Sequence, residues 1–242
     1  MTVSVGAFEP VTRAMGPGLR ACLWVRGCPM RCAGCATPEF IPFPDGHPYS
    51  LRNHRDLPTP PSPPSRSEGG KQKISPHPAG RGSEMGWGQH PISDVCELLD
   101  VAIAEHGITG ISFSGGEPFA QAPALARIAE HARARGLSTL SWSGFTRKHL
   151  EGPRAPIGSR ELLAALDVLI DGLFVQRRAN GDPLRGSSNQ RIHLLTDRHR
   201  AEEFAQADVE VRLGRDGRIV TTGVMNYAMA DAALALLGVR SV

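Results

Sequence analysis

The feature that most restricts the fold is a regular alternation of apolar runs and amphipathic segments along the chain. Three apolar runs have the length and composition of buried strands: Ile108 to Phe113, Leu137 to Trp142 and Val168 to Ile170. Three segments have helical periodicity: one capped by Ser93 and ending near Gly107, Ala122 to Arg135 with Gly136 as its C-cap, and one capped by Ser159 and ending at Leu166. Strands that alternate with helices of about 10–15 residues are typical of βαβ units. We therefore predict an α/β fold with a mostly parallel sheet, either open or curved into a partial barrel.

Shorter patterns extend this prediction toward both ends of the chain. Ala21 to Val25 is an apolar run that follows the turn signal Gly16-Pro17-Gly18, and it is predicted as the first strand. Val209 to Gly223 alternates apolar and polar residues on both sides of Asp216-Gly217, which is typical of a hairpin with a type I′ turn. Met229 to Leu237 is rich in alanine and leucine, and it is predicted as a final helix that packs on the core.

The segment from 45 to 88 breaks this pattern because it offers almost nothing to bury. Ten of the twenty prolines lie between Ile41 and Gly80, and no aromatic residue occurs between Leu51 and Glu84. Such sequence favours polyproline II or disorder, since too little apolar surface offsets the entropy of ordering it. We predict a disordered, proline-rich insertion within one domain that spans residues 1–242. Proline-rich segments can also dock on aromatic grooves of partner proteins, and that second role stays open.

Composition excludes several classes of function. The chain has 242 residues and a net charge of +3, which is too balanced to indicate nucleic-acid binding. No apolar run approaches the roughly 20 residues of a membrane-spanning helix. The start of the sequence lacks the basic and apolar regions of a signal peptide. We expect a cytoplasmic protein that binds neither nucleic acid nor membrane.

Three of the five cysteines, Cys28, Cys32 and Cys35, lie within eight residues directly after the first predicted strand. In α/β folds the ligand lies outside the carboxyl ends of the strands, so these thiols are in the ligand-binding position. Zinc would need a fourth ligand, and no histidine or cysteine has a suitable spacing, so zinc is the less favoured alternative. A 4Fe-4S cluster with three protein ligands and one open iron fits the count. Cys22 and Cys96 are predicted as bystanders that behave as small apolar residues.

A second motif lies at the carboxyl end of the next predicted strand, where Ser114 to Pro118 reads Ser-Gly-Gly-Glu-Pro. Alone, this sequence indicates only a turn. The C-x3-C-x2-C pattern after one strand and Gly-Gly-Glu after the next together resemble the signatures of the radical S-adenosylmethionine (radical SAM) superfamily. The glycines would let the backbone approach a small ligand, and a carboxylate or carbonyl could receive the ammonium group of methionine. The resemblance implies a partial barrel of the radical SAM type.

Further stretches are similar to the anaerobic ribonucleotide reductase activating proteins, one branch of that superfamily. They are Gly16 to Arg20, Val25 to Pro29, Cys35 to Pro38, Asp167 to Gly172 and Arg185 to Arg191. The last two resemble the branch's DVLVDG and RGSSNQR sequences. Gly34 also matches this branch, because other branches usually have an aromatic residue just before the third cysteine. The resemblance covers residues 16–40 and about 91–195.

This resemblance implies a mechanism and a set of site residues. Cys28, Cys32 and Cys35 would hold the cluster, whose open iron would chelate S-adenosylmethionine. One electron, from a reductant such as flavodoxin or ferredoxin, would cleave the sulfonium bond and give a 5′-deoxyadenosyl radical. That radical would take hydrogen from a glycine of a partner glycyl radical enzyme, an anaerobic ribonucleoside-triphosphate reductase. The cofactor-binding residues implied are Gly34, Cys35, Ala36, Gly115, Gly116, Glu117, Ser141 and Ser143. No side chain is assigned a catalytic role.

Several alternatives stay open. Ala36 stands where the activating proteins more often have histidine or an aromatic residue, which leaves room for a radical SAM enzyme that modifies a peptide or small molecule. A metal-binding module without catalysis is a third possibility. Ser141 and Ser143 fit ordinary turn hydroxyls as well as cofactor ligands, and Asp171 fits a ligand contact or the start of a tight turn. Arg185 to Arg191 fits a structural loop or a basic contact to ligand or partner.

Overall fold

The computed structural model of the chain describes residues 1–44, 88–179, 182, 184–205, 209–213 and 219–223. The predicted insertion lies outside these residues apart from Gly88, and the predicted helix from Met229 to Leu237 lies outside them entirely. Both stay predictions, as does the extent of the single domain. No helix among the described residues is long and apolar enough to cross a membrane.

A seven-stranded mixed sheet forms the centre of the molecule. Its strands in chain order are β1 (Thr2–Thr12), β2 (Arg20–Val25), β3 (Gly88–Pro91), β4 (Gly110–Gly115), β5 (Ser138–Ser143), β6 (Val168–Asp171) and β7 (Arg191–Leu194). They are arranged in the order β3-β1-β2-β4-β5-β6-β7. The central strands β2, β4, β5 and β6 pair in parallel, whereas β1, β3 and β7 pair antiparallel.

The predicted mostly parallel sheet therefore describes only the centre, and a barrel is not confirmed. Connection length explains the antiparallel pair β1–β2, since residues 13–19 are too few for the crossover of a dozen or more residues that parallel strands need. The connections β4–β5 and β5–β6 contain helices, and these strands run parallel as predicted. The sequence pattern did not predict β1, β3 or β7.

Three α-helices follow the predicted segments closely: α1 (Ile92–His106), α2 (Ala122–Ala134) and α4 (Ser159–Ala165). The short helix α3 (Arg147–Leu150) was not predicted. Gly107 ends α1 with a left-handed φ of 60°, as predicted. The two predicted serine caps are wrong. Pro91 precedes α1, while the Ser93 hydroxyl donates to the Asp94 carboxylate. Gly158 precedes α4, and the Ser159 hydroxyl donates to a backbone carbonyl of the preceding turn.

The two faces of the sheet are covered differently. Apolar residues of α1, α2 and α4 pack with Phe113 and Leu169 in the main core on one face. The other face carries two smaller clusters, which include Trp24 on β2 and Ile170 on β6. Trp142 is only half-buried and contacts both of these clusters. Because β-strand side chains alternate between faces, residues one apart in these strands have different surroundings.

The predicted C-terminal hairpin is confirmed as a separate two-stranded antiparallel sheet of β8 (Glu210–Leu213) and β9 (Ile219–Thr222). Its Asp216-Gly217 turn lies outside the described residues. The Glu210 carboxylate accepts hydrogen bonds from the Thr12 hydroxyl at 2.9 Å and the Arg13 amide at 2.8 Å. These contacts attach the hairpin to the end of β1.

A buried arginine closes the amino-terminal end of the parallel strands. The Arg20 guanidinium donates to the hydroxyls of Ser112 and Ser138 at 2.7 Å each and to the Ile111 carbonyl at 2.7 Å. Burial lowers its pKa to about 10, so the group stays charged at neutral pH. A Cβ on Gly110 would lie 2.4 Å from its nearest guanidinium nitrogen, which explains the glycine. The Gly16 to Arg20 stretch thus has a structural role far from the cysteines.

Candidate cluster site

The cysteine loop, residues 26–41, leaves the carboxyl end of β2 and returns beside it. Its two ends are joined by backbone hydrogen bonds, from the Gly27 amide to the Phe40 carbonyl at 2.8 Å and from the Cys28 amide to the Ile41 carbonyl at 2.9 Å. The Phe40 side chain is fully buried and packs in the cluster that contains Trp24. The loop therefore has a fixed base on the sheet, and its cysteines lie between the two anchored ends.

All three cysteines of the loop are free and half-buried. Burial raises the pKa of Cys28 well above the usual thiol value, although the amides of Met30 and Arg31 hydrogen-bond its sulfur and act in the opposite direction. Burial and then the neighbouring Cys35 raise the pKa of Cys32 to about 11. Protonated thiols must lose their protons to bind iron, so loading a cluster here releases protons.

The Gly-Gly-Glu turn after β4 is joined directly to the cysteine loop. The Gly116 amide donates to the Val25 carbonyl at 2.7 Å, and the Glu117 amide donates to the Gly27 carbonyl at 2.9 Å. A Cβ on Gly115 would lie 2.5 Å from the Val25 carbonyl oxygen, and a Cβ on Gly116 would lie 2.5 Å from that of Gly27. Both glycines thus permit a close approach of two backbones. Their contact with a bound ligand stays a prediction.

Glu117 is fully buried and connects the ends of β4 and β5. Its Oε1 accepts hydrogen bonds from the Phe119 amide at 3.0 Å and the Ser143 hydroxyl at 2.9 Å. Its Oε2 accepts one from the Gly144 amide at 2.8 Å. Burial raises the pKa of Glu117 to about 7, while these three hydrogen bonds lower it. The carboxylate holds the turns beside the cysteine loop together.

The two predicted serines make contacts within the protein. The Ser141 hydroxyl donates to the Trp142 carbonyl at 3.0 Å, and the Ser143 hydroxyl donates to Glu117. Ser141 pairs with Phe113 and Leu169 across the sheet, and both of these belong to the main core under the helices. Cofactor binding by Ser141 and Ser143 stays a prediction, and so does binding by Gly34, Cys35 and Ala36, which lie in the cysteine loop.

A segment that the sequence pattern did not single out borders the cysteine loop. We call residues 172–178 the flanking segment. Its Phe174 amide hydrogen-bonds the Cys32 sulfur, and its Gln176 side chain lies against Gly34. A Cβ on Gly34, which has a φ of +71°, would come within 2.8 Å of that side chain. Every residue except proline has a backbone amide, so residue types in this segment do not indicate the contact.

Residues 185–191, the RGSSNQR stretch, support the flanking segment. The Gln190 side chain donates to the Gly172 carbonyl at 2.9 Å, and the Asn189 side chain donates to the Leu173 carbonyl at 2.7 Å. The Ser187 hydroxyl accepts from the Val175 amide at 3.1 Å. Arg185 pairs with Asp182 at 2.7 Å. Of the two alternatives for this stretch, the contacts favour the structural loop.

Asp171, at the end of β6, also has a structural role. Its Oδ2 accepts a 2.5 Å hydrogen bond from the Arg147 amide at the start of α3, and its Oδ1 lies 3.0 Å from His193 Nε2. The carboxylate is 7% exposed and satisfies one of the free amides at the start of this short helix. These contacts connect β6, β7 and α3.

The donor set of the cysteine loop fits an iron–sulfur cluster. Electrostatic interaction couples Cys28 to Cys32 and Cys32 to Cys35, so the sulfurs lie near one another. Within the described ranges, no three cysteine, histidine, aspartate or glutamate side chains are placed to hold a single metal ion. A 4Fe-4S cluster takes each thiolate on a separate iron and therefore accepts more widely spaced ligands. Amide donors to sulfur are also a usual feature of such sites.

A protein-family model described as a 4Fe-4S single cluster domain matches residues 14–60 and 87–193 of the chain. The matched residues include the cysteine loop, the Gly-Gly-Glu turn and the flanking segment. The chain belongs to this 4Fe-4S single cluster domain family. Membership agrees with the cluster predicted from the spacing of the three cysteines.

Relatives of this 4Fe-4S single cluster domain protein carry a common name. The "Anaerobic ribonucleoside-triphosphate reductase-activating protein" of Vibrio cholerae is 26% identical over 194 residues, which cover 78% of this chain and 96% of the relative. The protein of that name from Escherichia coli is 24% identical over 193 residues, with the same shares covered. The predicted resemblance to activating proteins is confirmed. Among solved structures, QueE from Escherichia coli matches with a TM-score of 0.38 and 15% identity, over 69% of this chain and 68% of that one.

Proposed function

We propose that this protein activates an anaerobic ribonucleoside-triphosphate reductase by generating a glycyl radical on it. The single observation that carries the proposal is the joined pair of motifs. The loop after β2 carries the three thiols, and the carbonyl of its Gly27 accepts a hydrogen bond from the Glu117 amide of the Gly-Gly-Glu turn after β4. The chain also spans 96% of the length of relatives named as activating proteins of this reductase.

Cys28, Cys32 and Cys35 would hold a 4Fe-4S cluster with one open iron, and Gly34 to Ala36 and Gly115 to Glu117 would border the bound S-adenosylmethionine. When bound, these two groups supply a one-electron cleavage that yields a 5′-deoxyadenosyl radical able to take hydrogen from a glycine Cα.

The chain's own residues hold the thiols and the turn beside them in place. The amides of Met30, Arg31 and Phe174 hydrogen-bond two of the thiols, which favours the thiolate form that binds iron. Glu117 orients the Gly144 turn toward the cysteine loop, where the Met30 side chain packs beside Gly144. These contacts hold the Gly144 turn beside the cysteine loop.

The first test is chemical. Protein purified and reconstituted without oxygen is mixed with dithionite and S-adenosylmethionine, and 5′-deoxyadenosine is measured by chromatography. We expect product from protein that carries iron and sulfide. Protein with a full cluster that forms no 5′-deoxyadenosine would contradict the proposal.

The second test concerns the partner. The same mixture is supplemented with the anaerobic reductase encoded in the same genome, and electron paramagnetic resonance detects a glycyl radical. A substitution of the reductase's radical glycine by alanine provides the control. Cleavage of S-adenosylmethionine without any radical on the reductase would instead favour a peptide or small-molecule substrate.

A further inference from the structure

The third cysteine of the loop has a side-chain partner that leads to the Gly-Gly-Glu turn. The Cys35 sulfur lies 3.8 Å from the hydroxyl oxygen of Thr37. That hydroxyl in turn donates to the Gly115 carbonyl at 3.1 Å. A single hydroxyl thus connects a predicted iron ligand with the first glycine of the turn, in addition to the backbone contacts between the loop and the turn.

The position of Thr37 in the loop holds its hydroxyl between these two partners. The residue is 9% exposed, although both of its neighbours in the chain are exposed. It immediately precedes the short 3₁₀ turn Pro38–Phe40, which the buried Phe40 side chain fixes on the sheet. A threonine in that position commonly accepts hydrogen bonds from the amides of the turn. Here the hydroxyl instead donates across the loop to Gly115.

The Thr37 hydroxyl has one proton, so it can donate to only one of its two partners at a time. In the cluster-free protein the Cys35 thiol can donate to the hydroxyl oxygen while the hydroxyl donates to Gly115, and all three groups are then satisfied. A sulfur that binds iron is a thiolate without a proton, and it can only accept. The lone pairs of the hydroxyl would then face a negatively charged sulfur, which is repulsive unless the hydroxyl proton turns toward that sulfur.

We propose that Thr37 is a positioning residue whose hydroxyl donates to the Gly115 carbonyl in the cluster-free protein and to the Cys35 sulfur once that sulfur binds iron. This inference rests on the proposed function, since Cys35 must be a cluster ligand. The thiol proton passes to solvent when iron binds, and the change in Thr37 is a rotation about its bond between Cβ and Oγ1. The rotation releases the Gly115 carbonyl. Loading the cysteine loop therefore prepares an acceptor at the turn for a donor group of the ligand.

The reduction potential of the loaded protein is measured first, without S-adenosylmethionine. Thr37→Val removes the hydroxyl and keeps the shape of the side chain, while Thr37→Ser keeps the hydroxyl. Thr139→Val is the matched control, because the buried Thr139 hydroxyl donates to the Ala165 carbonyl at 2.8 Å at the opposite end of the sheet. In a potentiometric titration the equilibrium constant for reduction should fall about 5-fold in T37V, the effect of one lost hydrogen bond to sulfur. T37S and T139V should match the parent protein, and all four proteins should contain equal iron and sulfide.

Urea unfolding of the cluster-free protein is measured next. T37V should unfold at a lower urea concentration than the parent protein and T37S, because the Gly115 carbonyl loses its donor. T139V should also unfold at a lower concentration, since it loses the bond to Ala165. T37V is thus expected to differ from the parent protein both in stability without the cluster and in reduction potential with it, whereas T139V should differ in stability alone.

Several outcomes would overturn the inference. An unchanged potential in T37V with a full cluster would show that the hydroxyl does not donate to the sulfur. An equal fall in T37S would assign the effect to the shape of the side chain. Unchanged stability of cluster-free T37V would show that the hydroxyl does not hold Gly115. Failure of the proposed function is a separate result, because it is seen in the parent protein, either as absence of iron or as a full cluster that yields no 5′-deoxyadenosine.

Discussion

The two ends of the central parallel strands hold their polar groups in opposite ways. At the amino-terminal end, the charged Arg20 side chain is fully buried and is hydrogen-bonded to hydroxyls and carbonyls of β4 and β5. At the carboxyl end, three free thiols are half-buried in a loop whose surface carries Arg31.

This difference separates stability from binding within one sheet. At the amino-terminal end the Arg20 guanidinium is hydrogen-bonded within the protein, so substitutions there should alter the free energy of unfolding. The thiol end holds three half-buried thiols, and burial raises the pKa of Cys28 and Cys32, so these groups must lose protons before they bind a metal centre. Changes there should alter what the protein binds. Substitutions at each end can test the separation.

The largest effect is expected from Cys28→Ala. Without one of three ligands the cluster should be lost, and iron after anaerobic reconstitution should fall from about four per chain to near zero. Cys96→Ala is the control, because that half-buried cysteine lies on α1. Iron and sulfide analysis with absorbance spectra measures the outcome. Equal iron retention in both variants would contradict the ligand assignment.

Arg20→Met tests the opposite end. The variant leaves the Ser112 and Ser138 hydroxyls and the Ile111 carbonyl without their buried cationic donor, and we expect the free energy of unfolding to fall by about 1–3 kcal/mol for each group left unpaired. Urea unfolding of the cluster-free protein gives this value. Arg127→Met, which removes an exposed pair with Glu130, should cost less than about 1 kcal/mol. Folded R20M should still load iron, and a specific loss of iron would break the proposed separation.

Gly116→Ala tests the joint between β4 and the cysteine loop. The added methyl would meet the Gly27 carbonyl at 2.5 Å, so overpacking should cost about 1–3 kcal/mol and displace the loop. Gly136→Ala is the matched control, since its φ of +78° makes alanine unfavourable but nothing lies within 4 Å of the new methyl. Both variants should be less stable, but only G116A should retain less iron. Normal cluster loading by G116A would show that the joint is not needed.

Gln190→Ala should have the smallest effect. It removes the side chain that holds Gly172 and Gly186, at a cost of about 1–3 kcal/mol, and loosens the flanking segment. A weaker hydrogen bond from Phe174 to Cys32 should lower the cluster's reduction potential, because amide donors stabilise the reduced form. Gln89→Ala, exposed on edge strand β3, serves as control in a potentiometric titration. An unchanged potential in Q190A would remove this role of the RGSSNQR stretch.

The fold was predictable where local pattern and connection agree. The helices α1, α2 and α4 and strands β4, β5 and β6 lie within a few residues of their predicted positions, because each buries a periodic apolar face against the next. Strand β1 was not predicted, although Val3, Val5 and Ala7 are buried in it. Its partner β2 follows after a short connection and its partner β3 is distant in sequence, so β1 is not part of a βαβ unit.

The candidate site was also predictable only in part. Residue type and spacing were enough to predict the side chains with distinctive chemistry, which are Cys28, Cys32, Cys35 and Glu117. The flanking segment contacts the site through the Phe174 amide and Gln176, and any sequence has amides. The RGSSNQR stretch was the available signal, since it is the loop that holds this segment in place.

Residue type and spacing were enough to indicate the three clustered thiols, the Gly-Gly-Glu turn and the alternating elements that bring both to the same edge of a sheet. The groups that surround the thiols and the turn could be identified only from the packed fold. Gly115 and Gly116 lie against the backbone carbonyls of Val25 and Gly27. Arg20 lies at the opposite end of β2 from Val25. Spacing along a chain specifies chemistry and periodicity, whereas neighbours distant in sequence are set by packing, which depends on every element at once.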